Sequence, residues 1–232
     1  MKPLFVLVIV VLAGMLAGCN LSALSTTATP IPSVAPTLQF TRPTSIASPT
    51  LNETPQIAPP PQQRASAQQI VVDRAFQVVA ALKNKDMTNL SQFISPQMGL
   101  RFSPYAAIQD TYQVFTADQI KGLWSDNTPH IWGVYDGTGE TIELTFADYY
   151  AKFVYDVDFA NAPQLSLDHR LGVSTTLDNS AEYYPSAMIV ESYFPGFDPT
   201  FDGMDWRSLR LVFMKENGTW FLVAIIHDQW TT

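Results

Sequence analysis

Ser208-Leu209-Arg210-Leu211-Val212-Phe213-Met214-Lys215-Glu216-Asn217-Gly218-Thr219-Trp220-Phe221-Leu222-Val223-Ala224-Ile225-Ile226-His227-Asp228-Gln229-Trp230 contains two strand-like runs, Ser208–Met214 and Thr219–Trp230. They meet at Asn217-Gly218, a pair that accepts the positive φ angles of a two-residue hairpin turn. With that turn fixed, facing positions sum to 435, so Arg207 is expected opposite Asp228, Ser208 opposite His227 and Leu209 opposite Ile226. One face of the hairpin then carries Leu209, Leu211, Phe213, Leu222, Ala224 and Ile226. The other carries Val212, Phe221, Val223 and Ile225 beside Arg210 and His227. Both faces are apolar near the turn, so each needs a cover, either helices or a second subunit joined through the sheet.

Upstream, the rhythm changes to three- and four-residue steps. Ile70, Val72, Phe76, Val79, Ala80 and Leu82 predict one apolar face of a helix over Ser66–Lys83. Asp86 suits the N-cap of a short second helix that points Leu90, Phe93 and Ile94 inward and ends at Ser95-Pro96. Thr116 with Gln119 forms a capping-box pattern before a third helix through Trp124, and Thr145 opens a fourth through Phe153. Ile131–Tyr135 and Glu140–Leu144 flank the turn-rich Asp136-Gly137-Thr138-Gly139, and Ala187–Phe194 is a further strand. Helices first and mostly antiparallel strands afterwards give an α+β class, with N-terminal helices packed on a curved sheet.

The first 65 residues have another composition. Met1-Lys2-Pro3 precedes an apolar run from Leu4 to Ala17 and then Gly18-Cys19, the plan of a secretory signal. About 14 apolar residues fall short of the roughly 20 that span a bilayer. Leu16-Ala17-Gly18-Cys19 resembles the lipobox of bacterial lipoproteins. The resemblance implies cleavage of residues 1–18, acylation of Cys19 and an extracytoplasmic protein held in the cell envelope by its lipid; the bland alternative is an ordinary secretory signal. Cys19 is the single cysteine in the chain, which excludes an internal disulfide. From Asn20 to Arg64 the residues are mostly Ser, Thr, Pro, Ala and Gln, too few of them apolar to offset chain entropy, so residues 19–65 are expected to form a disordered linker. Its mean span as a flexible coil would be roughly 35–40 Å.

Residues 66–232 are expected to form a single domain. Over that range 20 acidic residues stand against 10 lysines and arginines, a net of about −10. Such a domain repels nucleic acid and anionic lipid, leaving the membrane contact to the anchor at Cys19. The long opening helix, the Asp86-Met87-Thr88-Asn89-Leu90 helix and the terminal hairpin resemble the nuclear-transport-factor-2-like superfamily, which includes ketosteroid isomerases. That resemblance rests on layout over Ala67–Ile94 and Ala187–Trp230, implies a cone-shaped sheet that often encloses a pocket, and carries no single function. Residues 155–184 fit its layout poorly. The blocks Gly99–Tyr105 and Gly203–Arg207 also resemble segments of bacterial lipoproteins.

No phosphate loop, dinucleotide fingerprint, HExxH or GxSxG motif is present. His130, His169 and His227 are scattered, and no cofactor is implied. Arg101, Arg207, Arg210, His227 and Asp228 form the first candidate constellation. They read either as ion pairs at the sheet edge or as a pocket in which a guanidinium grips a carboxylate or phosphate while His227 or Asp228 moves protons. An isomerase would set Asp228 as base against Tyr105 as acid. Asp198, Asp202 and Asp205 are carboxylates a calcium ion would use, but their spacing departs from calcium loops and equally suits turn caps. Trp124, Trp132, Tyr149, Tyr150, Tyr183, Tyr184 and Trp230 supply either a core or a binding surface.

The functional expectation is a non-enzymatic domain that binds a small molecule or an envelope protein; the alternative is a small lyase or isomerase. The anchor has a direct check. Cys19→Ser should move the protein from the membrane to the soluble fraction and remove any acyl adduct seen by mass spectrometry, and continued membrane partition would refute lipidation there.

Overall fold

The computed structural model describes residues 61–231. The signal, Cys19 and nearly all of the expected linker lie outside the described residues. The first helix, α1, spans Pro61–Lys83. It begins five residues before the expected start because Pro61 lacks the N–H that a first helical position leaves unpaired, and Gln62 to Ala65 are good helix formers. Its inward face is Val71, Ala75, Val78, Val79 and Leu82; Val79 and Leu82 are as expected, but in the first turns the face is one position round, with Ile70 48% and Phe76 57% exposed. Both stripes are apolar, and the sheet takes the one with smaller side chains, which allow closer approach.

Next come α2 (Met87–Ser91), β1 (Leu100–Ser103), β2 (Val114–Phe115), α3 (Ala117–Gly122), β3 (His130–Val134), β4 (Thr141–Leu144) and α4 (Phe146–Phe153). The predicted caps are in place: Asp86 accepts from the Asn89 amide, Thr116 and Gln119 close a capping box, and Thr145 accepts from the Asp148 amide. The remaining elements are β5 (Gln164–Leu167), α5 (Ser180–Tyr183), β6 (Met188–Phe194), β7 (Arg207–Glu216) and β8 (Thr219–Gln229).

A mixed, mostly antiparallel sheet runs in the order β2-β1-β8-β7-β6-β5, and β3 and β4 make a separate hairpin. The parallel contact is β1 on β8, with Arg101 beside Ala224 and Ser103 beside Ile226. The fold is therefore α+β.

The terminal hairpin keeps the predicted register only near its turn. Asn217 and Gly218 both have positive φ, and Met214 pairs with Phe221 and Phe213 with Leu222. Between Phe213 and Val212 the register slips, leaving Val223 as an extra residue in β8. Beyond this bulge Leu209 faces His227, Ser208 faces Asp228 and Arg207 faces Gln229. A one-residue slip sends each later side chain to the opposite face. Ala224 and Ile226, expected with Leu209 and Leu211, instead pack with Val212, Ile108 and Tyr184, while Ile225 joins the main core.

That main core fills one face of the sheet. Phe102, Trp132, Phe146, Tyr149 and Phe153 meet there, with Trp132 and Tyr149 stacked at 3.9 Å between centroids. Trp132, Tyr149, Tyr150 and Tyr184 are thus core residues, whereas Trp230 stays 39% exposed. The second face is covered by the chain itself, through Ile108 and the segment around Tyr184. Asn179 ties those two covers together, its amide donating to the Ile108 carbonyl at 2.9 Å and accepting from the Ile108 N–H at 2.8 Å. The hairpin therefore has its cover without a second subunit.

Gly172 sits where any Cβ would overlap the Trp206 ring, which is buried. Gly172→Ala should lower stability by about 1–3 kcal/mol. The expected reading is a lower urea midpoint at unchanged slope; an unaltered midpoint would mean that the ring is not held against this backbone.

Candidate functional site

The five-residue constellation expected from the sequence does not assemble as one site. Because side chains alternate along β7 and β8, it divides between the two faces of the sheet. On the main-core face, Arg207 Nε donates to Asp156 Oδ2 at 2.9 Å, and His227 Nε2 lies 3.2 Å from Asp156 Oδ1. His227 is fully buried, with Phe153 packed edge-on against its ring. Burial pushes the Asp156 carboxyl up, but His227 and Arg207 outweigh it and hold the group below its usual range. Arg207 therefore pairs with Asp156, which lies 51 residues before it, and not with Asp228 as the unbroken register predicts. Tyr105 packs on this same face against Phe153, and burial raises its phenol. It is on the opposite side of the sheet from the Asp228 carboxylate, so the expected base–acid pair is not formed.

The second face holds a different cluster. Asp228 Oδ2 accepts from both Nε (3.0 Å) and Nη2 (2.6 Å) of Arg170. Arg210 donates through Nη2 to Asp178 Oδ2 at 2.7 Å and to Ser180 Oγ at 2.9 Å. Glu191, next to Arg210 across β6 and β7, accepts from Leu171 N (2.7 Å), Gly172 N (3.2 Å) and Ser208 Oγ (2.6 Å). Three donors satisfy this buried carboxylate and pin the 171–172 backbone to the sheet, which is what sets Arg170 over Asp228. The ion pairs expected at a sheet edge are thus real in kind but buried, on interior strands, and made to residues far away in the chain.

A cavity of about 200 Å³ opens over this cluster, lined among others by Asp168, Arg170, Asp178, Tyr184, Ile189 and Arg210. Arg210 is only 3% exposed, and its Nε and Nη1 have no hydrogen-bond partner; neither does Asp228 Oδ1. A buried guanidinium with two unused donors is costly unless an acceptor comes to it. The cavity over this cluster is therefore bounded by a guanidinium that keeps unused hydrogen-bond capacity.

Arg101 stands apart from this cavity. Its Nη1 donates to the carbonyls of Gln109, Asp110 and Tyr112, and its guanidinium stacks on the Tyr183 ring, so it clamps a loop. The three aspartates considered for calcium cap turns instead. Asp205 Oδ2 accepts from the amides of Phe197 and Asp198, Asp198 Oδ1 accepts from Thr200, and Asp202 takes a left-handed conformation. Among the described residues no group of three or more histidines, cysteines, aspartates or glutamates is placed to hold a metal ion.

Sequence reasoning missed Asp156, Arg170, Asp178 and Glu191. Glu191 carried a readable signal, a lone charge inside the apolar run Met188-Ile189-Val190-Glu191-Ser192-Tyr193-Phe194. The others lie in or beside irregular segments and gave none. Compared with known proteins, the chain matches no family profile, no curated protein and no solved structure. Its own chemistry must carry the functional reading.

Burial pushes the Asp228 carboxyl up to about 6, with Arg170 pulling it part of the way back. An unfolded aspartate titrates near ~4. Between those values the folded state holds a proton that the unfolded chain has lost, so this group favours folding at the acid end of the window and ceases to as pH rises through it. Asp156 and Asp178 act oppositely at lower pH: both sit below their ordinary range, so their contribution falls away as acid is added. Asp228→Asn should flatten the decline in urea midpoint between pH 4.5 and 6.5. In the parent protein the Asp228 carboxyl carbon should titrate near 6 by NMR; a midpoint near 4 would contradict the assignment.

Proposed function

We propose that this chain is a lipid-anchored, extracytoplasmic lipoprotein whose folded domain is a non-enzymatic binding module for a small molecule, seated in the cavity over Arg210. The lipobox-like Leu16-Ala17-Gly18-Cys19 supports the anchor, and the proline-rich stretch after it suits a spacer. The layout supports kinship with the nuclear-transport-factor-2-like group: α1 and α2 come first, the terminal hairpin last, and helices pack on one face of the sheet.

One observation carries the binding reading. Arg210, nearly inaccessible, lines a cavity and keeps two donors without partners. Ligand pockets are concave and usually preformed, with a few placed polar groups; this cavity is small, about 200 Å³, with a mostly polar wall, which suits a small polar ligand. Aromatic side chains fill the core beneath the helices; a larger cavity of about 390 Å³ lies against α1, lined by Val72, Ala75, Phe76 and Phe159 among others, but its wall holds no charged group. A protein partner in the envelope or a homodimer through the sheet would need a different surface.

The alternative is a small lyase or isomerase. Asp228, raised to about 6, is the carboxylate such an enzyme would use as a base. Its bound oxygen is held by Arg170 and no second acid reaches it, while His227 is sealed against Asp156 on the other face. Binding without turnover fits these contacts better.

The test is a thermal-shift screen of the full chain, purified in detergent, against a broad panel of metabolites. A ligand at 100 times its Kd adds about 2.7 kcal/mol. In a domain of this size that corresponds to a rise of roughly 5–10 °C in Tm. A flat response across the panel would overturn the binding reading, and turnover of any hit would favour the enzyme.

A further inference from the structure

The cavity against α1 lies on the main-core face of the sheet, away from the one over Arg210. Its floor is made by Ala75 and Val79 of α1, by Phe159 and by Ser192 of β6, all buried. α1 supplies one side from Val72 to Ala80, about two turns and roughly 12 Å along the axis. The segment after Asp158 supplies the other through Ala160, Ala162 and Pro163. Leu165, the cross-strand partner of Ser192, closes the end at β5, the outermost strand on that side of the sheet. Four of the wall residues are alanines (Ala75, Ala80, Ala160 and Ala162), and these small side chains leave about 390 Å³ open.

Chemistry, opening and depth select the occupant. Ser192 carries the only polar side chain of the wall, so the cavity has little with which to hold a polar or ionic group, and hydrocarbon gains most by entering it. Its size falls within the roughly 300–1,000 Å³ of ligand cavities, which are mostly apolar. Phe76 and Leu165, 57% and 44% exposed, mark the opening, and a bound hydrocarbon would shelter both from water. A second copy of this chain laid on Phe76 and Leu165 would cover the opening but leave the space above Ala75, Val79 and Phe159 empty, an unfilled void without dispersion contacts. A slender occupant reaches that floor. About 390 Å³ spread over roughly 12 Å of helix leaves a section of ~30 Å², which suits a single chain better than a broad ring system.

We infer that this cavity takes the alkyl chain of a single-chain lipid, an amphiphile of the fatty-acid type whose head group stays at the opening between Phe76 and Leu165. Affinity comes from the chain: each methylene drawn against the apolar wall adds a similar increment, and the gain ends once the cavity is full. The site stands whether or not the cavity over Arg210 binds a ligand, since the two share no lining residue.

The test uses the full chain carrying Cys19→Ser, purified without detergent, whose own chains would compete. Isothermal titration is run with butanol, hexanol, octanol and decanol and with the matching straight-chain carboxylates. The expected result is a ~4-fold gain in affinity per added methylene, about 0.8 kcal/mol each, up to a length at which the gain levels off. Octanol and octanoate should agree within ~5-fold, the most that an exposed charge contributes. Ala75→Leu fills the floor and should weaken octanol by at least ~10-fold while the urea midpoint is kept or raised. Ala162→Leu narrows the cavity from the opposite side and serves in its place if Ala75→Leu does not fold. No binding by either series, affinity that follows the head group and not the chain length, or parental octanol affinity in a folded alanine variant overturns the assignment. A dimer that Phe76→Ser dissociates, with no alkanol bound, gives the opening to a second copy and overturns it as well. In each of these cases the metabolite screen still decides the cavity over Arg210.

Discussion

An extra residue in an antiparallel strand cannot be absorbed without turning the rest of that strand over. In β8 that residue is Val223, and the arrangement of both faces of the sheet follows from it. Before the bulge, Leu222 and Phe213 belong to the main core; after it, Ile225 and His227 occupy that face and Ala224, Ile226 and Asp228 are turned to the other. Without the slip, Asp228 would point to the face that holds Asp156, and two carboxylates would compete there for Arg207. With it, Asp228 reaches Arg170.

The second face then has to accommodate Glu191, Ser208, Arg210 and Asp228, all nearly inaccessible, in the middle of a sheet. Such a layer is tolerable only where its members find partners, since each unpaired group costs on the order of 1–3 kcal/mol and a charge more. The segment from Asp168 to Ile189 supplies them. Leu171 and Gly172 give amides to Glu191, Arg170 gives its guanidinium to Asp228, and Asp178 with Ser180 receives Arg210. The same stretch brings Tyr184 down on Val212, Ala224 and Ile226, so apolar cover and polar satisfaction come from one piece of chain. Of those four, Arg210 and Asp228 keep unpaired atoms, and so does Trp206 Nε1, packed on Gly172 of the same segment.

Much of the molecule could be read from local chemistry. Asn217-Gly218 specified a turn because both residues tolerate positive φ, and Asp86, Thr116 and Thr145 marked helix starts because their side-chain oxygens reach amides left free by the helix. The helices α2, α3 and α4 and the strands β3, β4, β6, β7 and β8 follow those signals. The strands β1, β2 and β5, of two to four residues, did not announce themselves: a run that short has no period to detect, and unlike the equally short β4 none of them adjoins a hairpin-type turn. Val79 and Leu82 were read correctly, but the earlier turns of α1 were misread by one position because Val71-Val72 and Val78-Val79 place apolar side chains on two adjoining stripes, and only the surface opposite chooses between them. The bulge left no mark either: Val223 is one β-branched residue in an unbroken apolar run.

The sequence by itself determined most of the longer elements, their order, the α+β class and the chemical repertoire, because these depend on contacts within a few residues. Its lipobox-like start also set the expectation of an envelope address. Tertiary structure alone decided which charges meet. Arg207 with Asp156, Arg170 with Asp228 and Arg210 with Asp178 join residues 51, 58 and 32 positions apart. Such pairs depend on the register of strands and the path of an irregular cover, and a register is settled by the sum of packing across a whole sheet rather than by any residue within it.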